Sequence, residues 1–387
     1  LSATGGYRYS SYSIAGGVSA YKDGIEWQPI DDIRFRASFE RAVRAPNVLE
    51  LFLPLNVVLF GGQDPCATQT TGQCANVKNA GNATILSCPA AQCNNQVGGS
   101  TALKPETAAT RTVGFVFTPT FLDGFTATVD YWDIKVSKFI TAIGAPIVLT
   151  QCYGPSATPG TEAAYCPLVH RNSEGQIYGS GFVTNITENT GYLQTDGVDV
   201  ELNYAADMAD WGMVQAGSID FNLVGTYLDS AETEPVPSPN SIGTYQCAGL
   251  FGVTCVPSPK WRHKFRVTWT SPWDVDVSLS WRHMSGLNFD ANTSNPLLDG
   301  DCGVPCGDVS DNHISSFDWF DLAADWQVRQ GIDLRAGVTN LFAKDPPYLD
   351  TNFVGASSLL FFGNGNTYPG VYDSLGRTVF VGATIKY

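Results

Sequence analysis

The chain has 387 residues, a formal net charge of −15 and only 15% charged side chains, while 12% are aromatic. A globular protein usually carries about 25% charged residues, so this composition is poor in charge. Its acidic balance argues against nucleic acid as a partner, and no apolar run approaches the roughly 20 residues of a membrane-spanning helix.

Apolar and polar side chains alternate along many segments. Between residues 33 and 39 the odd positions, Ile33 to Phe39, are apolar, and the even positions, Arg34 to Ser38, are polar. Because a strand pleat places alternate side chains on opposite faces, each such segment has one apolar and one polar face. We predict about twelve strands, near residues 2–13, 18–29, 32–44, 106–118, 123–138, 190–205, 217–230, 260–270, 273–284, 315–327, 331–341 and 376–387.

Three features favour a transmembrane antiparallel β-barrel over a soluble sandwich, whose strands alternate in the same way. The segments are about ten to thirteen residues long, as tilted membrane strands are, whereas strands in soluble sheets are nearer five or six. Short connections and long ones also alternate, as the tight turns and external loops of barrels do. The short ones fall near 29–32, 119–124, 271–273 and 329–331, and the long ones near 45–105, 140–189, 231–259, 285–312 and 342–375. Aromatic residues near strand ends predict girdles at the membrane interfaces, at Trp27, Trp261, Trp269, Trp273, Trp281 and Tyr387.

The polar faces of two neighbouring strands carry opposite charges. We expect Arg262, Lys264 and Arg266 to lie beside Asp274 and Asp276, with each opposed pair stabilising the sheet by roughly 0.2–1 kcal/mol. Such pairs would also fix the register, because a slip of one residue would turn these charges toward lipid.

Two segments fit the alternation poorly. Asp23 falls on the apolar face that holds Tyr21 and Ile25, and the pattern shifts phase after Tyr131, at Asp133. For the second segment we expect either a bulge or a strand that extends above the membrane.

Ten cysteines lie in close pairs among Gly, Pro, Asn and Thr residues. Zinc binding is the alternative to disulfides, but the chain has only four His and no two cysteines separated by two residues. We therefore predict local disulfides made in an oxidising compartment. The cysteines are Cys66, Cys74, Cys88, Cys93, Cys152, Cys166, Cys247, Cys255, Cys302 and Cys306.

Two stretches resemble the barrel of TonB-dependent outer-membrane receptors. The stretch Arg34–Phe52, with Arg44-Ala-Pro-Asn47 at its exit, is similar to a mid-barrel strand of that family that leads into an external loop. The second stretch is Leu334–Pro347, which contains Asn340-Leu-Phe342, followed by Tyr372–Tyr387, and it is similar to the last two strands of the family. In the family, the C-terminal strand is read by the barrel-assembly machinery. Asp64-Pro-Cys66 also looks like a disulfide-bearing loop of some members.

The resemblance implies a barrel of about 22 strands around an N-terminal plug, of which this chain, residues 1–387, would supply about the last twelve. The plug, the segment that contacts TonB and the first strands would then be absent from this chain, whose first residues show neither the basic nor the apolar region of a signal peptide. An open half-barrel would expose unpaired strand edges in lipid. We therefore expect the rest to be a separate chain or a further part of the same polypeptide.

The function implied by the resemblance is TonB-energised import of a scarce nutrient across the outer membrane of a Gram-negative bacterium, with the loops at the cell surface. Siderophore, cobalamin, oligosaccharide and peptide all remain open as the ligand. The alternatives are a complete twelve-stranded barrel acting as a passive pore, or a surface barrel whose loops bind other proteins.

Ligand contacts are expected from aromatic rings in the external loops, although such rings also commonly pack loops together. The candidates are Tyr153, Tyr165, Tyr178, Tyr245, Phe251, Phe289, Phe353, Phe361, Phe362 and Tyr368. Disulfides would stiffen these loops and lower the ordering cost of binding. One pairing among the many that ten cysteines permit is Cys66–Cys74, Cys88–Cys93, Cys152–Cys166, Cys247–Cys255 and Cys302–Cys306.

A resident cofactor and an enzymatic activity are not expected. Asp299, Asp301, Asp308 and Asp311 could hold Ca²⁺ in one external loop, with a solvated acidic loop as the alternative. Ser310, Asp311 and His313 lie close in sequence. Because geometry rather than sequence proximity defines a nucleophilic triad, they do not predict an enzyme.

Overall fold

The computed structural model describes residues 1–14, 16–81, 87–154, 157–237, 241–252, 254–295, 297–298, 312–349 and 367–386. Twelve long strands form one antiparallel sheet, which we call the wall, and their order in the sheet is their order in the chain. The wall strands are β1 (Ser2–Tyr12), β2 (Gly16–Ile30), β3 (Ile33–Arg44), β4 (Glu106–Phe117), β5 (Phe125–Ser137), β6 (Tyr192–Asp207), β7 (Ser218–Glu234), β8 (Trp261–Thr270), β9 (Val275–Met284), β10 (Phe317–Arg329), β11 (Ile332–Thr339) and β12 (Thr378–Ile385).

The twelve predicted strands are the twelve wall strands, so the prediction of an all-β antiparallel sheet is confirmed. One end of the wall, the turn end, has short connections such as those between β2 and β3 and between β10 and β11. The other, the loop end, carries the long connections, at 45–105, 138–191, 235–260, 285–316 and 340–377. The predicted alternation of short and long connections is therefore present.

The wall is an open sheet within the residues described. β1 pairs with β2 and β12 pairs with β11, and no pairing joins β1 to β12. A closed twelve-stranded barrel would need that pairing, because closure is what removes the two edges of a sheet. Within the described residues the wall is therefore not a closed twelve-stranded barrel.

One face of the wall is apolar and remains uncovered. Trp27 is 54% exposed and Val113 is 60% exposed, and the rings of Tyr204, Phe221 and Phe265 stack across three neighbouring strands at centroid distances of 6.2 and 6.4 Å. Exposed apolar patches of this extent mark a surface that meets another apolar phase. On a sheet of long antiparallel strands, such a phase is the lipid of a membrane.

Aromatic rings concentrate at the turn end of the apolar face. Trp27 stacks on Phe35 at 5.8 Å, and Trp269 meets Trp273 edge-on at 6.2 Å. The Trp269 Nε1 donates to the carbonyl oxygen of Ala216 at 2.8 Å. These rings form the girdle predicted for that interface, while Trp261 and Trp281 lie toward the loop end. Tyr387 lies outside the described residues.

The predicted charge pairs between β8 and β9 are wrong in register. The two strands are neighbours, but Lys264 lies opposite Arg282 and Asp276 lies opposite Thr270. The turn that joins the strands places the acidic residues at the turn end, whereas the cations lie toward the loop end. Arg282 instead makes an ion pair with Asp321 of β10, at 2.8 and 3.1 Å.

The irregularity near Tyr131 is a strand extension and not a bulge. β5 keeps an unbroken register with β4 and β6, and Asp133 accepts a hydrogen bond from Arg111 at 3.1 Å on the outward side of the wall. The register shift lies instead between Asp196 and Gly197 of β6. Asp23 stays on the apolar face, opposite Gly5 and Phe39, as the alternation predicts.

The long connections fold into two bodies above the loop end. The first body comes from residues 45–105 and 138–191, with Val236 and Ile242 of the next connection packed into its core. It contains the helices α1 (Val48–Phe52), α2 (Ala145–Tyr153) and α3 (Pro159–Tyr165). Its short strands are Asn56–Gly61, Gln92–Val97, Ile140–Thr141, Val169–His170, Phe182–Thr184 and Glu188–Asn189. The second body contains Leu250–Phe251, Leu287–Phe289 and His313–Ile314, and the strand Tyr245–Gln246 extends the wall beside β7. No helix among the described residues is long and apolar enough to cross a membrane.

Candidate ligand-binding site

A buried ion pair joins the two connections that make the first body. The Asp64 carboxylate accepts hydrogen bonds from Arg171, one of them at 2.9 Å, and from the backbone N–H of Cys66 at 3.0 Å. Arg171 also donates to the hydroxyl of Tyr153 at 3.1 Å and to the carbonyl oxygen of Gly175 at 2.7 Å. Burial would lower the pKa of Arg171, but the hydrogen bonds and the charge of Asp64 outweigh that effect and raise it. The guanidinium therefore stays charged and fixes one connection against the other.

Four disulfides brace the two bodies. Three lie in the first body, Cys66–Cys74, Cys88–Cys93 and Cys152–Cys166, and the fourth, Cys247–Cys255, lies in the second. These four pairings are the ones predicted, and Cys302–Cys306 lies outside the described residues. Such bonds typically contribute about 2–4 kcal/mol by restricting the unfolded chain, so both bodies are preorganised.

The candidate aromatic residues of the first body differ in how deeply their rings are buried. Tyr165 is only 3% exposed, and burial raises its pKa to about 12. Tyr153 and Tyr178 are partly buried against the same cluster, which includes Val148 and Leu149 of α2. A ring with so little accessible surface packs the body, and a ligand role for Tyr165 remains a prediction.

The candidates of the second body form its core. Phe251 is 0% and Phe289 is 1% exposed, with ring centroids 5.8 Å apart, and Tyr368 meets Phe251 edge-on at 6.4 Å. The Tyr368 hydroxyl donates to the carbonyl oxygen of Gly252 at 3.0 Å. Phe251 and Phe289 therefore pack the core of this body, and a ligand role for them remains a prediction. Tyr245 keeps partial exposure, and a ligand role for it remains a prediction, as for Tyr153, Tyr178 and Tyr368. Phe353, Phe361 and Phe362 lie outside the described residues.

Asp290 is a structural residue that sequence reasoning missed. Its carboxylate is buried and accepts the backbone N–H groups of Thr254 and Cys255, at 3.0 and 2.9 Å. It thereby anchors the loop closed by Cys247–Cys255. No local sequence signal marks this role, because the two bonded segments lie far apart along the chain.

The polar face of the wall carries ion pairs that span strands. Arg36 of β3 bonds to Asp130 of β5, with Nε to Oδ1 at 2.8 Å. Glu26, Trp132 and Asp199 line the same depression, a cavity of about 540 Å³. Positive and negative side chains therefore lie close together on this inner face and make it polar, as the lumen of a barrel is.

The residues singled out for metal binding and for a nucleophilic triad lie mostly outside the described part of the chain. No group of three or more His, Cys, Asp or Glu side chains there is placed to hold a metal ion. The acidic cluster of Asp299, Asp301, Asp308 and Asp311 lies outside the described residues, as does Ser310. His313 is described, and its Nδ1 lies 3.0 Å from Asn288 Oδ1.

A wall with one lipid-facing side, one charged side and braced loops at one end defines an outer-membrane β-barrel. The family model described as TonB dependent receptor-like, beta-barrel matches residues 1–341, and the chain belongs to this family. Its members are outer-membrane receptors and transporters of Gram-negative bacteria rather than a class of enzymes. No curated protein sequence is significantly similar to the chain.

Solved siderophore receptors share the fold. A mutant of the ferric enterobactin receptor PfeA from Pseudomonas aeruginosa, in complex with enterobactin, is similar over 100% of this chain with a TM-score of 0.58 and 14% identity. The siderophore receptor PirA from Acinetobacter baumannii has the same coverage and TM-score, with 13% identity. The chain spans 43% of the length of each of these proteins. At this identity the likeness shows the fold alone.

Proposed function

We propose that this chain is the C-terminal part of a receptor that imports a scarce nutrient through the outer membrane, driven by energy that TonB transmits. The observation that carries the proposal is the two-faced wall. Its outward side exposes aromatic and aliphatic side chains, while its inward side holds charges paired across strands, as between Arg36 and Asp130. Such a wall separates lipid from a polar passage.

The loop end faces the cell surface in this proposal. The disulfides there, such as Cys66–Cys74, require an oxidising compartment. Barrels of this kind have their long loops outside and their tight turns in the periplasm. The rigid first body would then offer a preorganised surface to a ligand arriving from outside, which lowers the entropic cost of capture.

Further strands and an N-terminal plug complete the barrel in this proposal. Support comes from the edges of β1 and β12, which have no partner on their outer sides within the described sheet. Unpaired backbone groups in hydrocarbon cost several kcal/mol each, so the edges must be covered. The plug would contact TonB from the periplasmic side.

A ferric siderophore is the first ligand class to test, ahead of cobalamin, an oligosaccharide or a peptide. The two solved proteins PfeA and PirA are siderophore receptors by name. Because Phe251 and Phe289 are buried, contacts in this chain would come from the exposed side chains of the two bodies and from the polar face of the wall.

The test is uptake by whole cells that express the full-length protein. Radiolabelled ferric enterobactin and cobalamin are supplied with and without a protonophore, in strains with and without TonB. The proposal expects saturable uptake of one ligand that falls to background when either the proton gradient or TonB is removed. Uptake that persists without both would establish a passive pore and overturn the proposal.

A further inference from the structure

A cationic cavity opens on the outward side of the wall at the loop end. It has a volume of about 570 Å³ and is lined by Arg41 of β3, Lys104 just before β4 and Lys138 just after β5. Apolar side chains share its lining, at Ile14, Val43 and Leu103. No acidic residue lines it, although the whole chain carries a net charge of −15.

Among the residues that the structure describes, the three cations have no carboxylate partner. Across the described residues, no Asp or Glu oxygen lies within 4.0 Å of the side-chain nitrogens of Arg41, Lys104 or Lys138. Arg36 and Arg282 on the polar face are, by contrast, both ion-paired. Like charges held around one cavity repel each other, and an anion between them would relieve that repulsion.

Backbone hydrogen bonds hold the cavity in shape without a ligand. The side-chain amide of Asn189 accepts from Lys104 N at 2.7 Å and donates to the carbonyl oxygens of Lys104 and Lys138 at 2.8 and 2.9 Å. Arg41 Nη1 donates to the carbonyl oxygen of Ser19 at 2.8 Å. One asparagine thus ties the backbones of two lysines from different connections beside the arginine.

The cavity lies beside an aromatic pair on the outward face of the wall, on the side of that pair nearer the loop end. Arg41 follows Phe39 on the outward side of β3, and its register partner on β2 is Tyr21. The Tyr21 and Phe39 rings are 6.0 Å apart on the turn-end side of Arg41, and Phe39 lies between Asp23 and Arg111 of the neighbouring strands. Aromatic rings of this kind mark the interface of a membrane barrel. The next groups beyond them therefore meet lipid headgroups.

We propose that this cavity binds the phosphate groups of an outer-leaflet lipid, with Arg41, Lys104 and Lys138 as the phosphate ligands. Hydrogen bonds between cationic side chains and phosphate oxygens are among the strongest in proteins, and basic pockets at membrane borders recognise anionic headgroups. Ile14 and Val43 would lie against the upper part of an acyl chain. The inference rests on the proposed orientation, in which the loop end faces outward.

The experiment uses the full-length receptor in dodecyl maltoside with bisphosphorylated lipid A as the probe. Native mass spectrometry measures bound lipid for the parent protein, for Lys104→Gln/Lys138→Gln and for the control Arg262→Gln/Lys264→Gln. The control removes the same charge from the polar face of β8. We expect at least a tenfold loss of affinity in the first variant and less than a twofold change in the control. Equal binding by all three proteins would overturn the proposal.

Two further measurements identify the source of the phosphate and guard against misfolding. Dephosphorylated lipid A should bind the parent protein at least tenfold more weakly, and inorganic phosphate at the same concentration should not displace the lipid. Displacement by inorganic phosphate would refute a lipid site. A folded barrel migrates differently on a gel before and after heating, and the double variant is used only if it keeps this property. If it does not, the single variant Arg41→Gln replaces it and should weaken lipid binding at least threefold. Unchanged binding by folded Arg41→Gln overturns the proposal.

Lipid binding and nutrient uptake are read out separately. Phosphate-dependent lipid binding without TonB-dependent uptake would leave this inference standing while the proposed function fails. TonB-dependent uptake by a receptor whose variants all bind lipid A equally would support the proposed function and overturn the lipid-binding proposal.

Discussion

The guanidinium of Arg36 reaches the carboxylate of Asp130 across an intervening strand. Arg36 lies on β3 and Asp130 on β5, and the residue of β4 between them in register is Gly114. A Cβ on Gly114 would lie 2.1 Å from Asp130 Oδ1 and 2.4 Å from the carbonyl oxygen of Val129. Gly114 is therefore required because a side chain there would occupy the path of the ion pair, and not because of a turn.

We predict that Gly114→Ala destabilises the barrel by about 1–3 kcal/mol, the usual range for overpacking. The carbonyl oxygen of Val129 belongs to the backbone and cannot move aside as a flexible side chain could. The measurement is urea unfolding of the full-length protein. Gly5→Ala is the matched control, since the nearest atom to its added Cβ is 3.6 Å away. Equal unfolding midpoints for the two variants would contradict the prediction.

The faces of the wall could be predicted from the sequence, but the register could not. Period-two alternation indicated all twelve strands and assigned Arg262, Lys264 and Arg266 to one side. The structure sets Lys264 opposite Arg282 because the geometry of the turn after β8 decides which residues face each other. Alternation is unchanged by a shift of two residues, so it carries no information about that choice.

In the loops, features that depend on residues close in sequence could be predicted, and features that depend on distant residues could not. Cysteine pairing was predictable in four cases because each disulfide closes a segment of 5 to 14 residues. The burial of Phe251 and Phe289 was not, since it depends on strands from separate connections meeting. The Asp64–Arg171 pair joins residues 107 positions apart, and neither residue has a local pattern that indicates it.

Arg171→Met should loosen the first body by about 3–5 kcal/mol, because it leaves the Asp64 carboxylate buried without a partner. Hydrogen exchange of residues 60–80 and 145–180 in the full-length receptor measures the effect. Adding Asp64→Asn should recover part of the loss, as expected when two residues of one ion pair are coupled.

Lys78→Gln provides the comparison for that experiment. Lys78 and Glu174 form an exposed ion pair at 3.8 Å, and such pairs contribute only about 0–1 kcal/mol. Exchange in the first body should therefore stay within that range. A loss in Lys78→Gln as large as in Arg171→Met would show that burial of the Asp64–Arg171 pair is not the cause.

Replacing Cys152 and Cys166 by serine should destabilise α2 and α3 locally by about 2–4 kcal/mol, because the bond no longer restricts the unfolded segment. Amide exchange in Ala145–Tyr153 is the readout. Replacing Cys247 and Cys255 by serine should leave amide exchange in α2 unchanged, because the Cys247–Cys255 disulfide lies in the second body. Faster exchange of α2 in both variants would mean that the two bodies do not behave independently.

Asp321→Asn should destabilise the wall by about 1.5–3 kcal/mol, the range for hydrogen bonds to a charged group. Asp321 accepts two hydrogen bonds from Arg282 and one from the backbone N–H of Asn340, at 2.9 Å. It also balances a like-charge contact, because Lys264 lies directly opposite Arg282 on the neighbouring strand. Like charges in opposed positions of a sheet are destabilising.

The electrostatic part of that loss can be separated by a second substitution. In the Asp321→Asn background, Lys264→Gln removes the charge that faces Arg282 and should restore roughly 0.2–1 kcal/mol, while Lys260→Gln, outside the wall strands, should restore nothing. Unfolding midpoints of the three full-length variants decide the matter. Failure of Lys264→Gln to recover more than Lys260→Gln would mean that Asp321 acts only through its hydrogen bonds, and that the register of β8 against β9 imposes no electrostatic penalty.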